Sequence, residues 1–192
     1  MFIITKKLRK IFMVLVLFVA IFIAIQSITW VGKLAYPTHH YSTVMENAEM
    51  YNIDPLLIYA IIRNESRFNT NAISRTEARG LMQIAPITGQ WAAETLEIEN
   101  YTKQLLHDPK INIEIGAWYL DRLNKQFNNN LELVIAAYNA GSGNVTNWLN
   151  NPELSKDGNE LDYIPFGETR IYLRKVLRDY EIYKRIYNRG TL

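Results

Sequence analysis

The chain contains no cysteine, which excludes disulfides and every thiolate metal site. Histidine is scarce, at three. His39 and His40 stand together and His107 stands alone, a spacing that frames no zinc site, so no metal is expected. Nine glycines and six prolines are few for 192 residues. No segment alternates polar and apolar residues between hairpin turns, which points to an all-α domain with at most a very short hairpin. Internal repeats, low-complexity tracts and cofactor motifs are absent too. No excess of one charge marks the chain, whose formal net charge is +2. Four of its 21 basic residues lie in the first ten positions, and the other 17 face 19 acidic ones. Phosphate binding needs a concentrated basic face, so nucleic acid is not an expected partner.

One long stretch lacks charge altogether. From Ile11 to Gly32 the run IFMVLVLFVAIFIAIQSITWVG carries none, and about twenty such residues cross a bilayer. Lys6, Lys7, Arg9 and Lys10 precede it, and such flanks stay cytoplasmic. The reading is a cytoplasmic basic tail over 1–10, a transmembrane anchor over 11–32, a linker over 33–41 and an extracytoplasmic domain over 42–192. The chain is then a single-pass protein of the cell membrane, with Trp30 and Tyr36 at the outer interface. A cleaved signal peptide fits less well, because no small-x-small site follows the apolar run.

Beyond the linker, helices start with recognisable signals. In NIDPLLIYAIIRNE, Asp54 caps a helix whose first position is Pro55, and the apolar block after it is rich enough to be central to the fold. DPKINIEIGAWYLDRLNKQF starts the same way at Asp108 and Pro109, with Ile111, Ile115, Trp118, Leu120 and Leu123 as its stripe. LELVIAAYNAG closes on Gly141. GETRIYLRKVLRDYEIYKRIYNRG ends the chain as a charged helix carrying Ile171, Val176, Ile182 and Ile186.

Glu65 falls on the last turn of the central helix. A half-buried carboxylate beside helix carbonyls is penalised when ionised, so its pKa should rise, as a general acid requires. The plainer reading is a surface glutamate paired with Arg63 or Arg67. Against it stand Asn64, Ser66, Asn69, Ser74 and Gln83, a set of hydrogen-bonding groups that a packing role does not need.

These residues resemble a known signature. ESRFNTNAISRTEARGLMQIAP is similar to that of the soluble lytic transglycosylase family, which runs E-S-x-F, A-x-S, then G-L-M-Q and a proline. DPKINIEIGAWYLDRL resembles the family's N-x-x-x-G-x-x-Y-L helix, AAYNAGSGNV its A-Y-N-A-G-x-G-x-V segment, and IPFGETRIYLRKVLRDYEIY its closing E-T-R-x-Y-V segment. The blocks keep the family's order over residues 43 to 187. The resemblance implies a goose-lysozyme-like helical catalytic domain over 42–192 that cuts peptidoglycan glycan strands without a cofactor. It implies that Glu65 is the single catalytic acid, and that Ser74, Gln83, Tyr138, Asn139 and Tyr172 belong to the substrate cleft, the Tyr172 hydroxyl lying near the acid.

Under that resemblance Glu65 protonates the bond between N-acetylmuramic acid and N-acetylglucosamine, then takes the proton of the muramyl 6-hydroxyl as it attacks C1, leaving a 1,6-anhydromuramyl end. No second carboxylate is needed. A muramidase hydrolysing the same bond and a non-catalytic murein-binding scaffold are the alternatives. Glu77 and Glu168 are the candidates for a second acid; Glu168 begins a helix, where a structural role suits it. Glu77 stands where the family commonly has glycine, so a positive φ there would strain it, and Ala85 stands where methionine is frequent. Met82, Trp91, Trp118 and Trp148 read as packing residues.

Overall fold

The computed structural model describes residues 6–187, except that the side chains of residues 6–7 and 24–29 lie outside the description. The first five positions of the basic tail and the last five of the expected domain, 188–192, also lie outside it. Among the described residues eight α-helices follow one another: α1 (Lys6–Ala35), α2 (Tyr41–Met50), α3 (Pro55–Glu65), α4 (Pro86–Thr95), α5 (Pro109–Gln126), α6 (Leu131–Ala140), α7 (Ser142–Leu149) and α8 (Gly167–Tyr187). A short 3₁₀ turn, Lys103–His107, precedes α5. Among the described residues no strand forms. The expected hairpin is reduced to two isolated bridges, Ile73 with Arg79 and Arg79 with Ile84.

Helix α3 is the axis of the domain. Asp54 caps it, accepting from the Leu56 amide at 2.8 Å, Pro55 takes the first position, and every residue from Leu56 to Ile62 is buried. A cap of this kind stabilises a helix by about 1 kcal/mol. Helices α2 and α8 pack against it, and α5 and α6 complete the core. Asp108 caps α5 in the same manner, through the amides of Lys110 and Ile111.

The buried face of α8 differs from the isoleucine stripe its sequence presents. Ile171 is exposed, and Ile182 and Ile186 are only partly covered, whereas Tyr172, Tyr180, Tyr183 and Tyr187 are buried beside Leu173 and Val176. These tyrosines are long enough to cross the seam and bond distant backbone. Tyr183 donates to the Pro37 carbonyl at 2.9 Å and Tyr187 to the Tyr36 carbonyl at 2.6 Å.

Those bonds show how the stretch read as a linker, 33–41, meets the domain. Helix α1 runs on to Ala35, and residues 36–38 are docked on α3 and α8. Tyr36 meets Tyr183 edge-on at 5.2 Å and lies under the Arg63 guanidinium at 4.2 Å, so it packs against the domain. Along α1 the described apolar side chains from Leu8 to Ile23 are exposed. Among the described residues no helix is long and apolar enough to cross a membrane; residues 24–29, on which the expected anchor over 11–32 also depends, lie outside those side chains.

Candidate active site

A cleft of about 870 Å³ opens between the C-terminal end of α3, the loop 66–85, the start of α4, the end of α6 and the start of α8. Glu65, the last residue of α3, lines it together with Ser74, Thr76, Gln83, Ala85, Tyr138, Asn139 and Glu168. Three segments far apart in the chain supply these side chains.

Glu65 forms no ion pair among the described residues. Arg63 turns away to Asp179 at 3.1 Å and Arg67 points outward, so the surface-pair reading fails. Burial pushes the Glu65 carboxyl up to about 7 from 4.5; the Tyr172 hydroxyl opposes that shift by donating toward the carboxylate, and the negative charge of Glu168 adds to it. Loss of hydration, more than the helix end, holds the proton. The Tyr172 hydroxyl is buried and donates toward Glu65 from outside full hydrogen-bond alignment. Tyr172 stands behind the acid on α8, outside the cleft lining. Burial and the Glu65 charge together raise both Tyr172 and Tyr138 far above the ordinary phenol value, so both hydroxyls keep their protons.

The loop 66–85 is shaped from within. The Ser74 hydroxyl accepts from the amides of Thr76 at 3.2 Å and Ala78 at 3.0 Å. Ser74 therefore lines the cleft but spends its oxygen on the turn. Glu77 follows at φ 63°, Gly80 at 76° and Gln83 at 50°. The strain expected at Glu77 is thus present. Its carboxylate points out to Lys103 at 3.0 Å, away from the cleft, which removes it as a second acid; the neighbouring lysine and Arg79 lower its pKa.

Gln83 donates its amide nitrogen to the carbonyls of Ala72 at 3.1 Å and Gly80 at 2.9 Å, leaving the amide oxygen outside both bonds. Tyr138 donates to the Met82 carbonyl at 2.9 Å, so α6 clamps the turn that carries Gln83. Asn139 accepts from the buried Thr169 hydroxyl at 2.8 Å, tying α6 to α8. Ala85, short as it is, lines the cleft at the start of α4.

Several polar residues near Glu65 in sequence are elsewhere in space. Asn64 donates to Asp179 at 3.0 Å, Ser66 to the Ile62 carbonyl, and Asn69 caps the amide of Asn71; none lines the cleft. Met82 is buried as expected, pressed against Gly116, where a Cβ would collide with its sulfur. Trp118 and Trp148 are buried too, but Trp91 keeps 44% of its surface exposed.

Glu168, weighed from the sequence as a second acid and given a structural role at the helix start, reaches the cleft and acts on Glu65. One contributor escaped the sequence reading. Asn112 is fully buried and pins the loop from below, accepting from the Met82 amide at 2.7 Å and donating to the carbonyls of Arg79 and Leu106 at 2.9 and 2.8 Å. His107 adds a further tie, to the Thr70 carbonyl at 3.0 Å and Arg79 at 3.2 Å.

Known proteins resemble this chain in sequence and in fold. The family model described as the transglycosylase SLT domain matches residues 42–160. Soluble lytic murein transglycosylase of Escherichia coli K12 is 43% identical over 131 residues, which make up 67% of this chain and 20% of that protein. Membrane-bound lytic murein transglycosylase C of Shigella sonnei is 31% identical over 163 residues, 74% of this chain and 45% of its own length. Among solved structures, the 70 kDa soluble lytic transglycosylase of Escherichia coli superposes with a TM-score of 0.71 at 32% identity, over 80% of this chain and 25% of that one. The lytic transglycosylase Slt of Pseudomonas aeruginosa gives 0.70 at 34%, over 81% and 25%. The chain therefore spans between a fifth and under half of the curated relatives it matches.

Proposed function

We propose that this chain, which belongs to the transglycosylase SLT domain family, cuts murein glycan strands between N-acetylmuramic acid and N-acetylglucosamine with Glu65 as its acid and base. The observation that carries the reading is a cleft carboxyl without a cation partner, raised by burial to about 7. Glu65 gives its proton to the glycosidic oxygen as the bond to C1 breaks, leaving an oxocarbenium-like centre that the muramyl acetamido oxygen can support. The 6-hydroxyl of the same sugar then attacks C1 and its proton passes to the Glu65 carboxylate, which closes a 1,6-anhydro ring and restores the acid. The nucleophile is already part of the substrate, so no water needs a site.

The other assignments follow the geometry. Tyr172, behind the acid, tunes its proton affinity. The Tyr138 ring, the Gln83 amide oxygen and Asn139 face the strand, and Ser74 keeps the loop in shape. A second reading, hydrolysis by water, is favoured by one observation, the presence of Glu168 in the same cleft. Mass spectrometry of soluble products from purified murein separates the two. Anhydromuramyl ends support ring closure, and products one water heavier throughout would refute it.

We place this activity outside the cytoplasm at a membrane, through residues 11–32. The uncharged run, its basic flank, the helical course of α1 and a relative described as membrane-bound support that position. Retention of the full chain in the membrane fraction after a high-salt wash is expected; release into the wash would overturn it.

A further inference from the structure

The stretch of chain matched by the family begins at residue 42, and residues 35–39, which lie ahead of it, touch the chain on both sides of the acid. Arg63 is two residues before Glu65 and Phe68 three after it. On the upstream side the Arg63 guanidinium stands over the Tyr36 ring at 4.2 Å, and its Nε donates to the Ala35 carbonyl at 3.4 Å. Tyr36 and Arg63 both donate to Asp179, at 3.3 and 3.1 Å. On the downstream side the His39 ring meets the Phe68 ring edge-on at 5.4 Å. Between these two contacts the Thr38 carbonyl accepts from the hydroxyl of Tyr59, a buried residue of α3, at 3.4 Å.

The downstream side needs a hold. Arg67 and Phe68 follow the acid in the left-handed conformation, at φ 51° and 66°, which costs a residue other than glycine on the order of 1 to 3 kcal/mol and persists only where the surroundings fix it. Arg67 is exposed, so the packing falls to Phe68. The neighbours of its ring are His39 and, at 6.4 Å, Tyr59. On the upstream side the Tyr36 ring supports the Arg63 guanidinium from its face and leaves the donors free for Asp179. The segment is itself held by α8, through Tyr183 on the Pro37 carbonyl and Tyr187 on the Tyr36 carbonyl.

We infer that Tyr36 and His39 are positioning residues for Glu65: segment 35–39 clamps the last turn of α3 and the strained turn after it, and so sets where the carboxyl points in the cleft. The inference rests on the reading of Glu65 as acid and base. A carboxyl that gives a proton to one oxygen and takes one from another tolerates little displacement, and a misplacement of about 1 Å can cost about 10²-fold in rate. The side chains assigned to the strand are secured elsewhere. Gln83 is tied to Ala72 and Gly80, Tyr138 to Met82 and Asn139 to Thr169, so the clamp bears on turnover and leaves binding alone.

The test measures kcat and KM of the full chain on purified murein, at a temperature well below the unfolding transition of each variant. Tyr36→Ala is expected to lower kcat about 10- to 100-fold with KM within about twofold of wild type, and Tyr36→Phe, which keeps the ring under Arg63, to recover most of that loss. His39→Ala should lower kcat by about three- to tenfold, again with KM held. Because Tyr36 acts through Arg63, Tyr36→Ala should cost less in an Arg63→Gln background than in wild type. A kcat unchanged in either alanine variant overturns the inference, as does a rise in KM alone or a kcat deficit that merely follows the fraction unfolded. If Tyr36→Ala does not fold, His39→Ala decides by the same measure. Failure of the acid reading shows separately, as Glu65→Gln turning murein over at the wild-type rate, and it would take this inference with it; an inactive Glu65→Gln beside fully active clamp variants would sink the inference alone.

Discussion

Two carboxylates sit on the seam between α3 and α8, Asp179 fully buried and Glu65 half-buried, and their surroundings are opposite. Asp179 is fully buried and accepts from Arg63 at 3.1 Å, Asn64 at 3.0 Å, Tyr36 at 3.3 Å and Arg178 at 2.9 Å. Glu65 directly follows Arg63 and Asn64 in the chain, yet among the described residues it pairs with no cation, and the Tyr172 hydroxyl beside it is poorly aligned. A buried anion needs donors or it takes a proton. At Asp179 the donors are present and the group locks two helices and residue 36 together. At Glu65 they are withheld and the group stores a proton over a cleft. The same network that supplies the first carboxylate draws Arg63 and Asn64 away from the second.

The largest test of this contrast removes the stored proton. Glu65→Gln should lower turnover of murein by about 10²- to 10⁴-fold, the usual weight of a positioned acid and base, measured as soluble muropeptide released. Retained turnover would reduce Glu65 to a structural residue and erase the distinction. Next in size is the anchor. Asp179→Leu should cost about 3 kcal/mol in denaturant unfolding, as expected when a buried pair loses one partner and the two arginines, partly exposed, recover some hydration. A loss confined to activity, with stability unchanged, would show that Asp179 positions rather than holds.

The contrast also has a pH signature. Glu65 binds its proton up to about 7 in the folded chain against 4.5 for an ordinary glutamate, so between those values the native state holds more protons than the unfolded one. Stability from this group is therefore fully present below about 4.5 and falls as pH rises through 7, by on the order of 2 to 3 kcal/mol. Glu65→Gln should remove that slope in unfolding measured across the window, while a slope that persists would assign it to another group. The smallest effects come from the neighbours. Glu168→Gln removes a negative charge and should move the alkaline fall of activity to lower pH, and Tyr172→Phe removes a donor and should move it higher, each by less than about one pH unit. Shifts of the same sign would contradict the surroundings described for the acid.

Much of the fold was legible in the chain. Asp54 with Pro55, Asp108 with Pro109, and Gly141 mark helix ends through contacts a few residues long, and the apolar block after Pro55 announces a buried helix. Glu65 itself, at the end of that block, was legible for the same reason. The face of α8 was misread because periodicity weighs isoleucine above tyrosine, while burial at that seam favours side chains that also reach distant carbonyls. Ser74 and Gln83 were placed in the cleft by motif, but their hydrogen bonds within the loop were not visible in it.

What the sequence alone decided was local: where helices begin, which one is apolar throughout, and that a carboxylate closes it. Only the tertiary structure decided that Glu168, more than a hundred positions away, would press on that carboxylate, that Arg63 would be taken by Asp179, and that residues 36–38 would dock instead of hanging free. Caps and periodicity act over one or two helical turns, whereas desolvation and charge depend on what the rest of the chain brings within a few ångströms.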